Sequence, residues 1–301
     1  MEQWDEGVFF AKAPQTPSAT PVILSCGVHG DETLPVAVLE QLLEDIRLRM
    51  FRVQRPCLFI FANAQALANR RRFMKHNMNR LFGAGIRPPG YEGRRVMELE
   101  DYCRDFADMF GTGWHLDLHS TIKPSLHPSF ALQPAGTHDY DTRWLPTLAR
   151  ANVSALVRQR TPSHTFSHFS ANDLGYESFT LECGAVGSQE VTLSLALGKL
   201  VRELLLSPGL VAGNAARIRE FDVALELIKA APDFHFLVDE SAPNFVSFAA
   251  GTPIAVNDGA VVQAPVADCA LLFANSNVPV GDRAALLLRP IAAPACNSSS
   301  L

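Results

Sequence analysis

The stretch that decides the fold is Pro21-Val22-Ile23-Leu24-Ser25-Cys26-Gly27-Val28-His29-Gly30-Asp31-Glu32. Its first half is a short apolar run, which is the pattern of a strand buried on both faces of a sheet. Gly27 and Gly30 then allow the backbone to bend sharply, and residues 34–46 show helical spacing. A buried strand, a tight turn and an amphipathic helix together predict an α/β fold.

The same alternation of strand and helix patterns fills the first two thirds of the chain. Short apolar runs predict further strands, and longer stretches with a period near four predict helices that cover the sheet. The predicted strands are 58–62, 115–119 and 178–182, and the further helices are 92–110 and 192–206.

The pattern changes after about Ile218, where long helical periods stop and short β-rich runs follow. Asn257-Asp258-Gly259 lies between two of these runs and suits a tight hairpin. We therefore predict a larger α/β domain over 1–218 and a smaller β-rich domain with a flexible tail over 219–301. The runs are 235–238, 245–248, 254–256, 261–262 and 270–273.

Composition limits the classes of partner. The chain has 301 residues, of which 48% are hydrophobic and 19% charged, as in ordinary globular proteins. A net charge of −5 gives no general reason to bind nucleic acid or acidic membranes, so neither is an expected partner. Residues 1–5 lack the start of a signal peptide, and no apolar stretch is long enough to span a bilayer. Oligomeric state is left open.

The six cysteines are scattered without a CxxC pair, and three lie inside apolar strand-like runs. Cysteine in such runs usually behaves as a small hydrophobic residue. We therefore expect reduced thiols and a cytoplasmic protein rather than a disulfide framework.

His29 and Glu32 lie three residues apart on the glycine-rich turn, so that an imidazole and a carboxylate can converge on one metal ion. This short pattern also occurs by chance, as a surface turn before a helix with an acidic start. In the run 115–119, a period of two places His115, Asp117 and His119 on one face. A polar strand end is the alternative, but a buried carboxylate there is costly without a partner.

Together, His29, Glu32 and His119 lie at or just beyond the carboxyl ends of predicted strands, where open α/β sheets build their sites. Two histidines and one carboxylate leave a coordination position for water, as in catalytic zinc sites. The ligand set alone does not separate zinc from cobalt or manganese.

Two further groups are candidates for chemistry. Glu182 ends an apolar strand and is a candidate general base, although a carboxylate in a surface turn is the alternative. Residues 69–80 form the strongest basic cluster. A solvated surface and a nucleic-acid-binding patch are the alternative interpretations of this cluster. Its only aromatic residue is one Phe, which argues against nucleic acid. Arginine binds carboxylates through paired hydrogen bonds, so the cluster suits a small polyanion. His127, His164 and His168 are interpreted as structural or pocket-lining.

In combination, these motifs resemble those of the succinylglutamate desuccinylase/aspartoacylase family, a branch of the zinc-carboxypeptidase-like hydrolases. Similarity extends over nearly the whole chain, and the order and spacing of the motifs are specific although no single motif is. The matching segments are Gly27-Val-His-Gly-Asp-Glu32, Met78-Asn-Arg-Leu-Phe82, Asp117-Leu-His119, Ser125-Leu-His-Pro-Ser-Phe130, Thr165-Phe-Ser-His-Phe-Ser170, Thr180-Leu-Glu-Cys-Gly184 and Gly251-Thr-Pro-Ile-Ala255.

The resemblance implies a mixed central sheet flanked by helices, with a β-rich C-terminal domain that caps the site. It implies hydrolysis of N2-succinyl-L-glutamate to succinate and glutamate, the last step of succinyl-dependent arginine breakdown. The implied roles are one Zn2+ per subunit on His29, Glu32 and His119, general base/acid catalysis by Glu182, polarisation of the carbonyl by Arg72, and substrate binding by Asn79 and Arg80.

Three residues depart from the family pattern. Asn77 stands where aspartate is usual, Cys183 where leucine is common, and Asn172 where related enzymes often carry a substrate-binding arginine. The last change leaves open the hydrolysis of another N-acyl amino acid, such as N-acetylaspartate. A non-catalytic descendant that binds a metabolite or zinc is the alternative from a different class, and the full set of catalytic groups argues against it.

Overall fold

A mixed sheet dominates the structure, a computed structural model that describes residues 1–13, 19–136, 140–187, 190–207, 209–210 and 218–291. Within these residues, twelve strands form the large sheet and three form a small one. The order of the large sheet is β1-β2-β4-β3-β5-β8-β6-β7-β9-β15-β14-β11. Its strands are β1 Glu2–Asp5, β2 Val8–Ala11, β3 Val22–Cys26, β4 Cys57–Phe61, β5 Trp114–Thr121, β6 Ser129–Gln133, β7 Ala155–Arg158, β8 Glu177–Ala185, β9 Arg219–Ile228, β11 Val246–Phe248, β14 Cys269–Leu272 and β15 Arg283–Pro290.

Helices cover both faces of this sheet, which confirms the predicted α/β fold. One apolar core packs α1 and α6 against one face, and a second packs α3 and α5 against the other. A 3-10 turn at Met78–Arg80 precedes α3. The helices are α1 Thr33–Arg47, α2 Ala64–Asn69, α3 Tyr91–Phe110, α4 Trp144–Ala149, α5 Phe166–Leu174 and α6 Val191–Leu206.

The four central strands β4, β3, β5 and β8 run parallel, as expected for buried apolar runs joined through helices. All residues of β3 are buried. Alternate residues contact different cores, so Leu24 packs towards α1, whereas Ile23 packs towards α3. In the register of β3 and β5, Ser25 lies beside Asp117. The central sheet therefore carries a row of polar side chains on the face covered by α3 and α5.

The sheet does not end at the predicted boundary near residue 218. β6 pairs antiparallel to β8, β7 continues beside it, and β9 then pairs parallel to β7. The C-terminal strands thus extend the same sheet, which the sequence patterns did not indicate. The division into 1–218 and 219–301 stays a prediction, and the predicted flexible tail lies outside the described residues.

The C-terminal part is β-rich, as predicted. Its small sheet consists of β10 His235–Phe236, β12 Pro253–Asn257 and β13 Ala260–Gln263. Asn257 pairs with Ala260, and the two residues between them, Asp258 and Gly259, have φ values of 52° and 71°. Two positive φ angles are the signature of a type I′ hairpin, so the predicted turn is confirmed. In the described part of the chain, no helix combines the length and apolarity needed to cross a membrane.

Candidate metal centre

The turn after β3 brings His29 and Glu32 into the interior. Gly27 adopts a positive φ of 67°, which favours glycine. Gly30 packs so closely on α2 that an added Cβ would lie 2.1 Å from the carbonyl carbon of Ala66. The turn is therefore held tightly against α2, and Glu32 comes directly before the first residue of α1.

His119, on β5, completes a buried cluster with these two residues. Nδ1 of His29 lies 2.8 Å from Oε1 of Glu32, and Nδ1 of His119 lies 2.9 Å from Oε2 of the same carboxylate. One ligand atom from each residue can be chosen so that all three lie within 4.8 Å of one another. Among the described residues, no other group of His, Cys, Asp or Glu meets this criterion. The structure thus brings the predicted ligands together.

Neighbouring groups determine which ring nitrogen carries the proton. Oδ1 of Asn77 accepts a hydrogen bond from the backbone N–H of Asn79 at 3.0 Å, and the same oxygen lies 3.1 Å from Nε2 of His29. Nε2 of His119 lies 2.9 Å from Oδ2 of Asp117. Both oxygens are acceptors, so Nε2 is the donor in each ring. If both rings are neutral, their Nδ1 lone pairs face the carboxylate of Glu32.

This arrangement fits a metal ion. Without a cation, two nitrogen lone pairs would face the oxygens of one carboxylate at about 3 Å, which is electrostatically unfavourable. A shared divalent cation, or protons in its place, removes the conflict. Imidazole nitrogen and carboxylate oxygen are the donors that zinc takes in catalytic sites. His29, Glu32 and His119 are therefore suited to hold it.

The pKa values of Glu32 and His119 also indicate that positive charge is stabilised between the buried carboxylates. Burial alone would raise the pKa of Glu32, but His29 and His119 hold it well below its usual value. Burial alone would lower the pKa of His119, but the carboxylates of Asp117 and Glu32 raise it well above its usual value. Burial lowers the pKa of His29. In the absence of a metal, the ring of His119 is therefore held in its protonated form between two buried carboxylates.

Glu182 lies beside the cluster because β8 pairs with β5. In their register, His119 is the neighbour of Glu182. Glu182 is 8% exposed, and its Oε2 is buried without a hydrogen-bond partner among the described residues. Burial raises its pKa to about 7, and the nearby negative charge of Glu32 contributes to the increase. A carboxylate with these properties is able to accept and release a proton near neutral pH.

The predicted basic cluster supplies groups on the other side of the site. Nη1 of Arg72 donates to Oε1 of Glu32 at 3.1 Å, so this guanidinium contacts a candidate ligand directly. Asn79 is buried, and its Oδ1 accepts a hydrogen bond from the N–H of Phe166 at 3.0 Å. Arg80 uses Nη1 to donate to the carbonyl of Asn79 at 2.7 Å. Within the described chain, neither Arg80 nor the amide nitrogen of Asn79 contacts a carboxylate.

Arg80 is solvent-exposed, yet burial by the surrounding protein lowers its pKa to about 10. The charge of Arg283 contributes to the lowering, and it also lowers the pKa of His168. Arg283, the first residue of β15, therefore belongs to the same surroundings. It is a candidate site residue that the sequence analysis missed.

The remaining sequence predictions can be placed as well. His127, His164 and His168 hydrogen-bond to Ser154, to the carbonyl of Phe82 and to the N–H of Ala135, respectively, so the structure assigns them structural contacts. Asn172 is exposed on α5. Asn77 has a contact that the sequence did not reveal, the one with Nε2 of His29. Five described cysteines are buried and free, and Cys296 lies outside the described residues.

Two family models match the chain. One is described as the succinylglutamate desuccinylase/aspartoacylase catalytic domain and matches residues 18–207. The other is described as the AstE/AspA barrel-sandwich hybrid domain and matches residues 216–291. Together they cover both the candidate site and the C-terminal strands.

Individual proteins agree with these models. The succinylglutamate desuccinylase of Shewanella denitrificans is 34% identical, over 96% of this chain and 88% of the relative. The solved structure of succinylglutamate desuccinylase from Vibrio parahaemolyticus superposes with a TM-score of 0.88 at 29% identity, covering 95% of this chain and 86% of the other. The corresponding structure from Vibrio cholerae gives 0.86 at 30% identity, covering 94% and 85%. These proteins share the fold over nearly the full chain.

Proposed function

The chain belongs to the succinylglutamate desuccinylase/aspartoacylase family, and on this basis we propose that it is a zinc-dependent hydrolase that cleaves N2-succinyl-L-glutamate to succinate and L-glutamate. The single observation that carries the proposal is the pair of Nδ1 atoms facing one buried carboxylate, beside Oε2 of Glu182, which has no hydrogen-bond partner among the described residues. Desuccinylases with 31–34% identity over most of the chain support the substrate.

His29, Glu32 and His119 would hold the metal. A zinc ion bound there supplies a Lewis acid that polarises the amide carbonyl and makes a nearby water more acidic. In the proposed reaction, Glu182 accepts a proton from the attacking water at Oε2. The water oxygen bonds to the succinyl amide carbon, the carbon–nitrogen bond breaks, and Glu182 returns the proton to the departing amine of glutamate.

Arg72 has a supporting role in this proposal. Its Nη1 donates to Glu32, while its other N–H groups have no acceptor among the described residues. These groups are available to the oxygen of the scissile carbonyl as that atom gains negative charge. A well-placed donor of this kind contributes about 3–4 kcal/mol to transition-state stabilisation.

Binding of the substrate requires groups for its carboxylates, of which N2-succinyl-L-glutamate has three. The charge of Arg283 lowers the pKa of Arg80, so the two guanidinium groups lie near each other, and neither takes part in a salt bridge among the described residues. Asp282 lies near Arg80 and Glu226 near Arg283 without forming a salt bridge in the described residues, so these guanidinium groups have hydrogen-bonding capacity left for an anionic ligand. We propose that Asn79, Arg80 and Arg283 bind substrate carboxylates, so that the β-rich domain contributes to the site.

The competing substrate is another N-acyl amino acid, and the departure at Asn172 is the observation that favours it. Purified chain loaded with zinc is assayed for amine release from N2-succinyl-L-glutamate and, in parallel, N-acetyl-L-aspartate and other N-acyl amino acids. The proposal predicts the largest kcat/KM for the succinyl substrate. A preference for another compound corrects the substrate, and failure to hydrolyse any of them favours a non-catalytic protein.

Replacement of Glu182 tests the mechanism. E182Q should retain stoichiometric zinc and lose turnover, because the amide cannot accept the proton. E203Q is the matched control, since Glu203 lies on α6 and its carboxylate forms a surface ion pair with Arg150. Turnover in E182Q similar to that in E203Q would remove Glu182 from the role of base. Removal of zinc by a chelator, followed by zinc, cobalt or manganese, identifies the active metal.

A cytoplasmic location stays a prediction, supported by the free, buried thiols of the described cysteines. A role in the last step of arginine breakdown also stays a prediction, which the substrate assay tests.

A further inference from the structure

A chain of buried polar side chains leads from α5 and β8 across the sheet to Asp117. Oγ of Ser178 lies 2.8 Å from Oγ of Ser170, which lies 2.6 Å from Nδ1 of His115. Nε2 of His115 lies 2.8 Å from Oγ of Ser25, and Ser25 donates to Oδ1 of Asp117 at 2.6 Å. All five residues are buried, with exposures between 0% and 5%. This row of hydrogen-bonded side chains is thus shielded from water.

The direction of each hydrogen bond follows from the number of protons. Ser25 has one hydroxyl proton and donates it to Asp117, so Nε2 of His115 must donate to Ser25. Burial lowers the pKa of His115 to about 4, so this ring is neutral and its Nδ1 is an acceptor. The hydroxyl of Ser170 also lies 3.3 Å and 3.1 Å from the carbonyl oxygens of Phe166 and Ser167, but its contact with Nδ1 of His115 is the shortest, so Ser170 donates to His115.

Asp117 is the last residue of this row of hydrogen-bonded side chains, and it is also the hydrogen-bond partner of His119. Its Oδ1 accepts from Ser25, and its Oδ2 accepts from Nε2 of His119 at 2.9 Å. The carboxylate is held in place by a donor on each oxygen, and aligned hydrogen bonds strengthen one another. The orientation of Asp117 determines where the proton of His119 lies.

We propose that Ser25, His115 and Ser170 are positioning residues of the metal site, which act through Asp117 to keep the proton of His119 on Nε2 and its Nδ1 directed at the metal. The proposal rests on the metal site of the proposed function, but not on the substrate. None of the three residues contacts the candidate ligands directly. Their effect is on metal affinity, because groups behind a ligating histidine fix its ring and its tautomer.

Nuclear magnetic resonance of nitrogen-15-labelled histidine in the full chain tests the hydrogen-bond directions. The proposal predicts that the single ring proton of His115 lies on Nε2, with or without zinc, because the ring is neutral in both forms. A H115Q variant assigns the signal. A proton on Nδ1 of His115 would mean that Ser25 donates to His115 rather than to Asp117, and would overturn the proposal.

Zinc affinity, measured by competition with a chelator, tests the consequence. S25A should raise the zinc Kd by about tenfold, near the lower end of the range for partners of metal ligands, and S170A by a smaller factor. T147V is the matched control. Thr147 is buried on the opposite side of the sheet and donates to the carbonyl of Arg143 at 2.8 Å, so it also loses one buried hydrogen bond.

The outcomes are distinct. A graded loss of affinity in S25A and S170A, with T147V equal to the unmodified chain, supports the proposal. Unchanged affinity in folded S25A, or an equal loss in T147V, refutes it. If S25A does not fold, the zinc affinity of S170A and the position of the ring proton of His115 decide whether the proposal holds. An unmodified chain that binds no zinc would contradict the proposed function, while the position of the His115 proton would still test the hydrogen-bond chain.

Discussion

Glu182 should reduce the stability of the metal-free protein in a pH-dependent way, and E182Q should reverse this effect. The carboxyl group is 8% exposed and Oε2 has no partner among the described residues, so its charged form is poorly solvated. Burial raises its pKa from 4.5 to about 7. A change of this size corresponds to about 3 kcal/mol at 1.36 kcal/mol per pH unit.

The sign follows from proton binding. The unfolded chain loses the proton of Glu182 near pH 4.5, whereas the folded chain keeps it until about pH 7. Between these values the unfolded state binds fewer protons, so the free energy of unfolding falls as pH rises. The decrease in the free energy of unfolding that Glu182 causes is absent well below pH 4.5 and complete above about pH 7. A glutamine side chain does not ionise, so the free energy of unfolding of E182Q does not show this decrease.

Urea unfolding of the metal-free chain and of E182Q, at about pH 5 and about pH 8, measures the difference. The variant should be more stable at the higher pH, by an amount approaching about 3 kcal/mol, and the advantage should shrink at the lower pH. E203Q should show no comparable pH-dependent gain, since that carboxylate is more accessible and has an arginine partner. A stability difference that does not depend on pH would refute the reasoning.

Two further substitutions test the proposed substrate-binding arginine Arg283 and the metal site. R283A should raise KM for the tricarboxylate substrate by about 10- to 100-fold with a smaller effect on kcat, since a hydrogen bond to a charged group contributes about 1.5–3 kcal/mol. R289A, at the exposed far end of β15, is the control, and an equal effect of both would contradict a specific role. N77D should lower the zinc Kd by up to about tenfold, because a carboxylate makes His29 a more basic ligand than an amide does. Chelator competition measures this, and unchanged or weaker binding would contradict it.

The parallel core of the fold was predictable because β3 and β4 are nearly continuous apolar runs and β5 alternates polar with apolar residues. β3, β5 and β8 are each buried along nearly their full length, and α1 follows β3 with a clear helical period. β7 is only four residues long, so its pattern does not distinguish a strand from other buried segments. The antiparallel direction of β6 depends on contacts with β8 that are distant in sequence, and no local pattern indicates it.

The candidate ligands were predictable for a local reason, because polar residues at the ends of apolar strands stand out from their surroundings. Arg283 gave no such signal, since a single arginine before an apolar strand usually lies at the surface. Its position near Arg80 depends on how the C-terminal strands extend the sheet. Ser25 was hidden in a similar way, because only the register of β3 and β5 places it beside Asp117.

The electrostatic arrangement of the site explains why its parts belong together. Glu32, Asp117 and Glu182 are buried carboxyl groups, and among the described residues the guanidinium of Arg72 contacts one of them, Glu32. When Glu182 is ionised, the charges of Arg72 and of a protonated His119 leave the three carboxylates with one unbalanced negative charge. A divalent cation would displace that proton and neutralise the excess. It would also lower the pKa of Glu182, since a nearby positive charge favours the carboxylate. The cation that completes the cluster would thereby place its base in the form that accepts a proton.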